Sequence, residues 1–176
     1  LSVVFDRRVA SSLLGHFASA ITGSGIARKT SFLLDRLGTR VFAPGITIVD
    51  DPHRVRGMRS RAFDGEGLAT RRIALIDDGM LTQWIAETAS ARQLGIAPTG
   101  HAARGVSGAP GAGTSNLHMA AGSVSVAGLI ADIADGFYVT ELIGMGVNGL
   151  TGDYSRGASG FRITGGQIAG PVAEVT

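Results

Sequence analysis

The sequence predicts an α+β fold that is strand-rich, with antiparallel sheets joined by hairpins and with two main helices. Three observations lead to this prediction. The 176 residues include 27 glycines, roughly twice the ordinary share of about 7%, and they separate short runs of β-prone residues. One Asp-Gly pair lies between two such runs, as in a β-hairpin. Two other segments carry apolar residues at helical spacing.

The first main helix is predicted over residues 3–21, where apolar side chains recur at helical spacing. Gly23 and Gly25 are expected to end this helix, because glycine is disfavoured inside helices and common just beyond them. Residues 31–37 are predicted to form a second short helix or a turn.

Strands are expected in the middle of the chain. Residues 45–49 are rich in β-branched side chains and precede a predicted turn at residues 50–52. The clearest hairpin joins residues 68–76 to residues 80–88 through Asp77-Asp78-Gly79, because two β-prone runs flank an Asp-Gly turn.

A single helical turn is predicted over residues 90–94, closed by the glycine that follows. The glycine-rich residues 105–113 have too few apolar side chains to form part of a core and are predicted to be a flexible surface loop. The second main helix is predicted over residues 125–135, with Ser125 as its N-cap and Gly136 at its C-terminal stop.

The C-terminal segment is predicted to be β-structure. A strand is expected over residues 137–143, and a second hairpin joins residues 161–163 to residues 167–172 around Gly165-Gly166. No repeat of 20–50 residues is visible. Because hairpins connect most of these strands, the sheets are predicted to be mainly antiparallel.

The composition favours a packed globular body and excludes several kinds of site. Hydrophobic residues make up 44% of the chain and charged residues 17%, which does not fit a disordered tail. The chain has no cysteine, which excludes disulfides, thiolate metal ligands and cysteine nucleophiles. No apolar run of about 18 residues is present, so no membrane contact is expected. Residues 1–5 are too short for a signal peptide, and the cytoplasm is the expected compartment.

The charge balance argues against direct nucleic-acid binding. Sixteen cationic residues face 14 anionic ones, and affinity for a polyanion scales with the number of phosphates that are neutralised. The one local cluster of cations contains Arg54, Arg56, Arg59 and Arg61. Because Asp64 and Glu66 follow directly, this cluster is predicted to be a solvated surface loop.

Two glycine motifs resemble nucleotide-binding sequences only in part. Residues 144–149 match G-x-G-x-x-G, but the glycine-containing residues that follow make a poor helix, and a dinucleotide site requires one there. Residues 23–30 resemble a P-loop, except that Arg28 stands where the second glycine belongs. We interpret the first as a loop between strands and the second as a helix exit with two exposed cations.

The four histidines have no close metal-ligand spacing. His53 lies near Asp50 and Asp51, and this combination suits either a metal site or, as we prefer, a polar turn. His101 and His118 flank the glycine-rich loop and are interpreted as surface polar groups.

Asp153, Tyr154, Ser155 and Arg156 form the densest group of functional side chains in the sequence. A nucleophilic serine requires a positioned base, and no nearby histidine supplies one. Two interpretations stay open. In one, Arg156 fixes an Asp/Ser-rich loop by hydrogen bonds; in the other, the four residues contact a peptide or a partner protein.

Several stretches of the chain resemble the C-terminal domain of the TldD/PmbA family, and more narrowly its PmbA (TldE) branch. Gly-Asp-Tyr-Ser-Arg-Gly at residues 152–157 is the most specific of these stretches. The others span residues 15–17, 28–35, 78–84, 90–101 and 166–172. The resemblance covers nearly the whole chain and implies that residues 1–176 are the C-terminal domain of a longer protein whose N-terminal domain is absent here.

The resemblance also implies a division of labour between two subunits. Members of the family were named modulators of DNA gyrase and are described as zinc-dependent proteases that work as a heterodimer. The TldD-like subunit carries His-Glu-x-x-x-His on a helix and a later cysteine ligand. In this sequence His16 matches the first histidine, whereas Phe17 and Ile21 stand at the glutamate and second histidine positions.

The resemblance therefore implies that this chain has no catalytic residues and no metal or cofactor of its own, with zinc expected in the TldD-like partner. We expect an accessory subunit that helps to cleave unfolded peptides, paired with a TldD-like catalytic subunit or with a second copy of itself. The alternative is a regulatory binding protein that modulates DNA gyrase or a toxin–antitoxin system without proteolysis. A homodimeric hydrolase that uses the loop from Asp153 to Arg156 is a third hypothesis.

Overall fold

The computed structural model describes all 176 residues and confirms the predicted α+β class. Ten strands and four helices follow one another along the chain as β1 (Ser2–Phe5), α1 (Arg7–Ala20), α2 (Gly23–Ala27), β2 (Ile48–Asp50), β3 (Ile73–Asp77), β4 (Met80–Leu81), α3 (Thr88–Leu94), β5 (Ala102–Ala103), β6 (Gly111–Ala112), β7 (Leu117–Met119), α4 (Val126–Ala131), β8 (Asp135–Ile143), β9 (Gly157–Thr164) and β10 (Gln167–Val175). No helix has the length and apolar character needed to cross a bilayer.

The chain divides into two compact units. The first unit contains Leu1–Gly15, Ala121–Asn148 and Gly152–Thr176. The second unit contains His16–Ala120 and Gly149–Thr151. The first unit is therefore assembled from three separate stretches of sequence, with the bulk of the second unit inserted between the first two.

The first unit is built on a sheet of four strands in the order β1-β8-β9-β10. β8, β9 and β10 pair antiparallel, as predicted from the second hairpin, whereas β1 runs parallel to β8. Three buried apolar side chains of β8 and β9 form a core cluster in this unit: Phe137, Val139 and Ala158. Four partly buried apolar side chains pack against them: Phe5, Leu142, Val172 and Val175.

The predicted start of the first helix is wrong, whereas its end at Ala20 lies within one residue of the prediction. Residues 3–5 belong to β1, and the helix begins only after Asp6, whose side-chain Oδ1 accepts the backbone N–H of Arg8 at 3.0 Å as a helix cap. At the other end, Gly23 does not stop a helix but begins the five-residue α2. Residues 31–37 form turns, which is the second of the two alternatives predicted for them.

The second unit is built on a sheet in the order β4-β3-β2-β7, with antiparallel pairing throughout. The predicted hairpin is confirmed in shorter form, with β3 and β4 as its strands. Asp78 and Gly79 both have positive φ, 45° and 80°, as a tight hairpin turn requires. The strand predicted at residues 45–49 instead covers Ile48–Asp50, so Asp50 ends a buried strand and is not part of a turn.

Three smaller elements complete the fold. α3 is confirmed as a helical turn, with Gly95 at φ 67° as its left-handed cap. The predicted loop at residues 105–113 is shorter than expected, because β6 pairs with β5. Ser125 caps α4 as predicted, since its hydroxyl accepts the N–H of Gly128, but α4 ends at Ala131, well before Gly136.

Candidate functional site

The positions of the degenerate metal motif lie in the last turn of α1 and just beyond it. Phe17 is buried, and its ring meets that of Phe42 edge to face at a centroid distance of 5.5 Å. Ile21 is completely buried, and its carbonyl accepts the N–H of Ile85 at 3.0 Å. His16 is half-buried. Phe17 and Ile21 are thus core residues of the second unit.

The predicted contact loop lies between β8 and β9 in the first unit. Arg156 fixes the base of this loop, because its Nε donates to the carbonyl of Ile143 at 3.2 Å. The N–H of Ser155 donates to the carbonyl of Gly146 at 2.7 Å. A Cβ on Gly146 would lie 1.6 Å from the Ser155 carbonyl oxygen, so only glycine permits this approach.

The loop geometry supports the structural interpretation of Arg156 and leaves the contact interpretation as a prediction. Asp153, Tyr154 and Ser155 are exposed, whereas Arg156 is half-buried. No helix begins after the G-x-G-x-x-G match at residues 144–149, and the next regular element is β9. The interpretation of that match as a loop between strands is therefore confirmed.

The second unit contains a buried acid–imidazole pair that sequence reasoning missed. Asp50 and His101 are only 1% and 3% exposed. His101 Nε2 lies 3.4 Å from Asp50 Oδ2. The interpretation of His101 as a surface polar group is therefore wrong: Asp50 ends β2 inside the sheet and attracts the imidazole into the core.

The Asp50 carboxylate is also held by Ser115. Ser115 donates its backbone N–H to both carboxylate oxygens, at 2.8 and 3.0 Å, and its hydroxyl to Oδ1 at 2.8 Å. Burial alone would raise the pKa of Asp50, but the hydrogen bonds from His101 and Ser115 outweigh it and hold this pKa below its ordinary value. Asp50 is therefore an anion at neutral pH.

Further hydrogen bonds fix the position of His101. Its Nδ1 lies 2.9 Å from the hydroxyl of Thr99, which in turn accepts the N–H of Ala86 at 2.8 Å.

A second buried carboxylate, Asp64, accepts the N–H of Ala102 at 3.0 Å. Burial would raise the pKa of Asp64, but three backbone N–H donors lower it overall.

This network is a positioning network and not a catalytic triad. A nucleophilic serine must donate to the imidazole that serves as its base, whereas here both Ser115 and His101 point at the same carboxylate. Within the structure no group of three or more His, Cys, Asp or Glu side chains is arranged to hold a metal ion. The network instead joins β2 to the segments that contain His101 and Ser115.

The other histidines occupy ordinary polar positions. His53 Nε2 lies 3.1 Å from the Thr70 hydroxyl, and the His53 N–H donates to Asp51 Oδ1 at 3.0 Å. This is the polar turn that we preferred to a metal site. His118 is half-buried, with Nδ1 3.0 Å from the carbonyl of Asn116.

Comparison with known proteins shows which family this chain resembles. The family model described as the PmbA/TldA metallopeptidase C-terminal domain matches residues 1–176. Metalloprotease PmbA of Escherichia coli O157:H7 is 42% identical over 174 residues, which are 99% of this chain and 37% of that protein. In Haemophilus influenzae, the PmbA homologue is 38% identical over 99% of this chain and 37% of its own length. The TldD homologue of that organism is 28% identical over 93% of this chain and 34% of its own length.

Solved structures share the fold. A candidate modulator of DNA gyrase from Bacteroides thetaiotaomicron superposes with a TM-score of 0.87 and 36% identity, over 98% of this chain and 37% of that one. TldE from Thermococcus kodakarensis superposes with a TM-score of 0.77 and 25% identity, over 89% and 37% of the two chains. The chain thus spans little more than a third of the length of the proteins that it matches.

Proposed function

Because this chain belongs to the PmbA/TldD family of metallopeptidases, we propose that it is part of an accessory, non-catalytic subunit of a zinc peptidase that cleaves unfolded peptides in the cytoplasm. The observation that carries the proposal is the burial of Phe17 and Ile21. These two core residues stand where the catalytic branch is expected to have its glutamate base and its second histidine.

The chemistry of zinc hydrolysis supports this reasoning. A catalytic zinc needs about three protein ligands and a base that activates the bound water. Of the three motif positions only His16 retains a suitable side chain, and the chain has no cysteine. A glutamate or a histidine at a fully buried apolar position such as Ile21 would carry a large desolvation cost without a partner. The zinc is therefore assigned to the partner.

The partner in this proposal is a TldD-like subunit, with a second copy of this chain as the alternative. Relatives of this chain include both a TldE structure and a TldD homologue, which suits a pair of related subunits. In this proposal the exposed residues Asp153, Tyr154 and Ser155 contact the peptide or the partner, while Arg156 holds their loop in place.

The test uses the full-length parent protein and the TldD-like protein of the same organism, each purified alone and then mixed. We expect the parent alone to contain no stoichiometric zinc by mass spectrometry and to leave unfolded casein intact, and the mixture to cleave it. His16→Ala should leave the zinc content of the mixture unchanged, because His16 is not a ligand. Stoichiometric zinc with casein cleavage by the parent alone would refute the proposal.

A regulatory function is the second candidate, because a structural relative is described as a candidate modulator of DNA gyrase. In that case the purified parent should bind gyrase directly and change its supercoiling rate. Addition of the TldD-like protein should then produce no peptidase activity. The two candidates therefore predict opposite results in the casein assay.

A further inference from the structure

An ordered surface loop in the second unit, residues 52–61, carries our further inference; we call it the arginine loop. The N–H of Arg61 donates to the carbonyl of Pro52 at 2.9 Å and closes the loop. Inside it, the Arg54 carbonyl accepts the N–H of Gly57 at 3.0 Å and the hydroxyl of Ser60 at 2.7 Å. Compact loops of this kind, whose ends meet, are frequently functional.

Asn116 pins the arginine loop from outside. Its side-chain amide donates to the carbonyl of Asp51 at 2.7 Å and to the hydroxyl of Ser60 at 3.0 Å. Its Oδ1 accepts the N–H of Arg59 at 3.1 Å. Because these hydrogen bonds already restrain the loop backbone, binding would cost mainly the conformational entropy of its exposed side chains.

The loop presents unpaired cations beside apolar side chains. Arg54, Arg56 and Arg59 are exposed, and none of their guanidinium groups has an ion pair or a hydrogen bond. Between them, Val55 is 88% exposed and Met58 is 100% exposed. These two apolar side chains therefore protrude from the surface instead of lining a groove.

The arginine loop is exposed at the surface, as predicted, but the nearby acids do not pair with Arg54, Arg56 or Arg59. Asp64 is 4% exposed and accepts backbone N–H groups, including that of Ala102. Glu66 accepts the N–H and hydroxyl of Thr88 at 2.9 and 2.7 Å. Asp51 lies 3.6 Å from Arg72. None of the three carboxylates thus pairs with the guanidinium groups of Arg54, Arg56 or Arg59.

We propose that the arginine loop is a docking surface that inserts into an acidic, concave surface of a folded protein partner. Under the proposed function, on which this step rests, that partner is the TldD-like subunit. Carboxylates are the complementary charge for three exposed guanidiniums, and arginine and methionine are enriched in protein interfaces. A protruding loop needs a concave partner, which a folded protein provides and an extended peptide does not.

Nucleic acid fits the loop less well than a protein does. Three cations neutralise few phosphates, and the affinity for a polyanion rises with that number. In addition, the exposed Val55 and Met58 side chains have no counterpart along a phosphate backbone, whereas they fill a pocket in a protein.

The test compares two charge-matched triple variants of the full-length parent. The loop variant is Arg54→Gln/Arg56→Gln/Arg59→Gln, and the control is Arg36→Gln/Arg92→Gln/Arg104→Gln, which removes exposed arginines elsewhere in the second unit. Binding to the TldD-like subunit is measured by surface plasmon resonance at several salt concentrations. We expect the loop variant to bind about tenfold or more weakly, mainly through slower association, and with a shallower salt dependence. The control should stay within about twofold of the parent.

A second variant separates charge from apolar contact. Val55→Ser/Met58→Ser should speed dissociation and leave the salt dependence unchanged, because it removes buried apolar area and no charge. Footprinting of arginines with phenylglyoxal should show the loop modified in the free parent and protected in the complex.

Four results would overturn the inference. Unchanged affinity of the loop variant would remove the loop from the interface while leaving the proposed function intact. Protection of the loop in the free, dilute parent would show that the parent's own chain covers it. Binding of a 20-base-pair DNA duplex that is lost in the loop variant would reassign the surface to nucleic acid. If the unaltered parent fails to bind the TldD-like subunit, both the inference and the proposed function fail.

Discussion

The two units of the molecule are stabilised in different ways. In the first unit β8, β9 and β10 are eight or nine residues long and pair along most of their length, with three register shifts. In the second unit no strand exceeds five residues. All the buried polar side chains of the molecule lie in the second unit: Ser31, Asp50, Asp64, Thr70, Glu87, Ser90, His101 and Ser115.

This difference shows how short strands and irregular loops are held in a defined arrangement. In a long ladder the backbone N–H and C=O groups of neighbouring strands hydrogen-bond to one another. An irregular segment leaves buried N–H and C=O groups that need other hydrogen-bond partners. In the second unit Asp50 and Asp64 accept backbone N–H groups of segments that are distant in sequence. The carboxylates therefore take the place of strand pairing there.

The largest effect that would test this comparison is expected from Asp50→Ala. It leaves the His101 imidazole and the N–H and hydroxyl of Ser115 buried without their acceptor, and each buried donor left unsatisfied costs about 1–3 kcal/mol. Denaturant unfolding measures the cost, and hydrogen exchange should show it in β2, β3 and β7 and not in β8 and β9. Asp77→Ala, at an exposed position of the same sheet, is the control and should stay within about 0.5 kcal/mol. Equal losses for the two variants would contradict the comparison.

A somewhat smaller loss is expected from Ile163→Ala in the first unit. Ile163 is fully buried, and truncation of a buried isoleucine costs about 2–5 kcal/mol through lost burial and the cavity that remains. Its cross-strand partner Ile168 is 48% exposed, so Ile168→Ala should cost about 0.5 kcal/mol. The loss at Ile163 should be the same at pH 7 and pH 4, because no titrating group is involved. A pH-dependent loss would show that the apolar description of this unit is incomplete.

The smallest predicted effect is the response of the second unit to acid. The pKa of Asp50 in the folded state lies below its ordinary value, so its contribution to stability is present above the unfolded pKa of about 3.9 and is lost as the pH falls towards the folded pKa. Asp64 acts in the same direction. Unfolding midpoints measured from pH 6 to pH 2.5 should decline less steeply for Asp50→Asn, which has no carboxyl at this position to titrate. An unchanged slope in that variant would mean that Asp50 does not contribute to the acid response.

Local signals in the sequence predicted several elements correctly. The Asp78-Gly79 turn, the Ser125 cap and the glycine that ends α3 depend on backbone conformations of a few adjacent residues, and the structure confirms all three. β1 was missed for the opposite reason. Its apolar residues continue the helical stripe of α1, and the partner that makes them a strand, β8, lies at the far end of the chain.

The buried network could not be predicted from sequence order. Asp50 and Ser115 are 65 positions apart, and nothing near either residue indicates that they meet. For the arginine loop, the sequence predicted an exposed surface loop correctly, but it could not show that Asp64 and Glu66 accept hydrogen bonds from Ala102 and Thr88. At the degenerate metal motif the sequence was more informative, because Phe17 and Ile21 belong to the apolar stripe that predicted the first helix.

The parallel pairing of β1 with β8 has a consequence for how the chain folds. Tyr138 on β8 donates its hydroxyl to Asp6, which lies 132 positions earlier in the sequence. On a ribosome, the first strand leaves the exit tunnel long before its partner is synthesised. The equilibrium cost of closing so long a loop grows only slowly with length, by about 0.6 kcal/mol per doubling, but contacts this distant slow folding. β1 therefore stays without its partner until β8 has been synthesised, while the inserted unit has all but three of its residues available to fold.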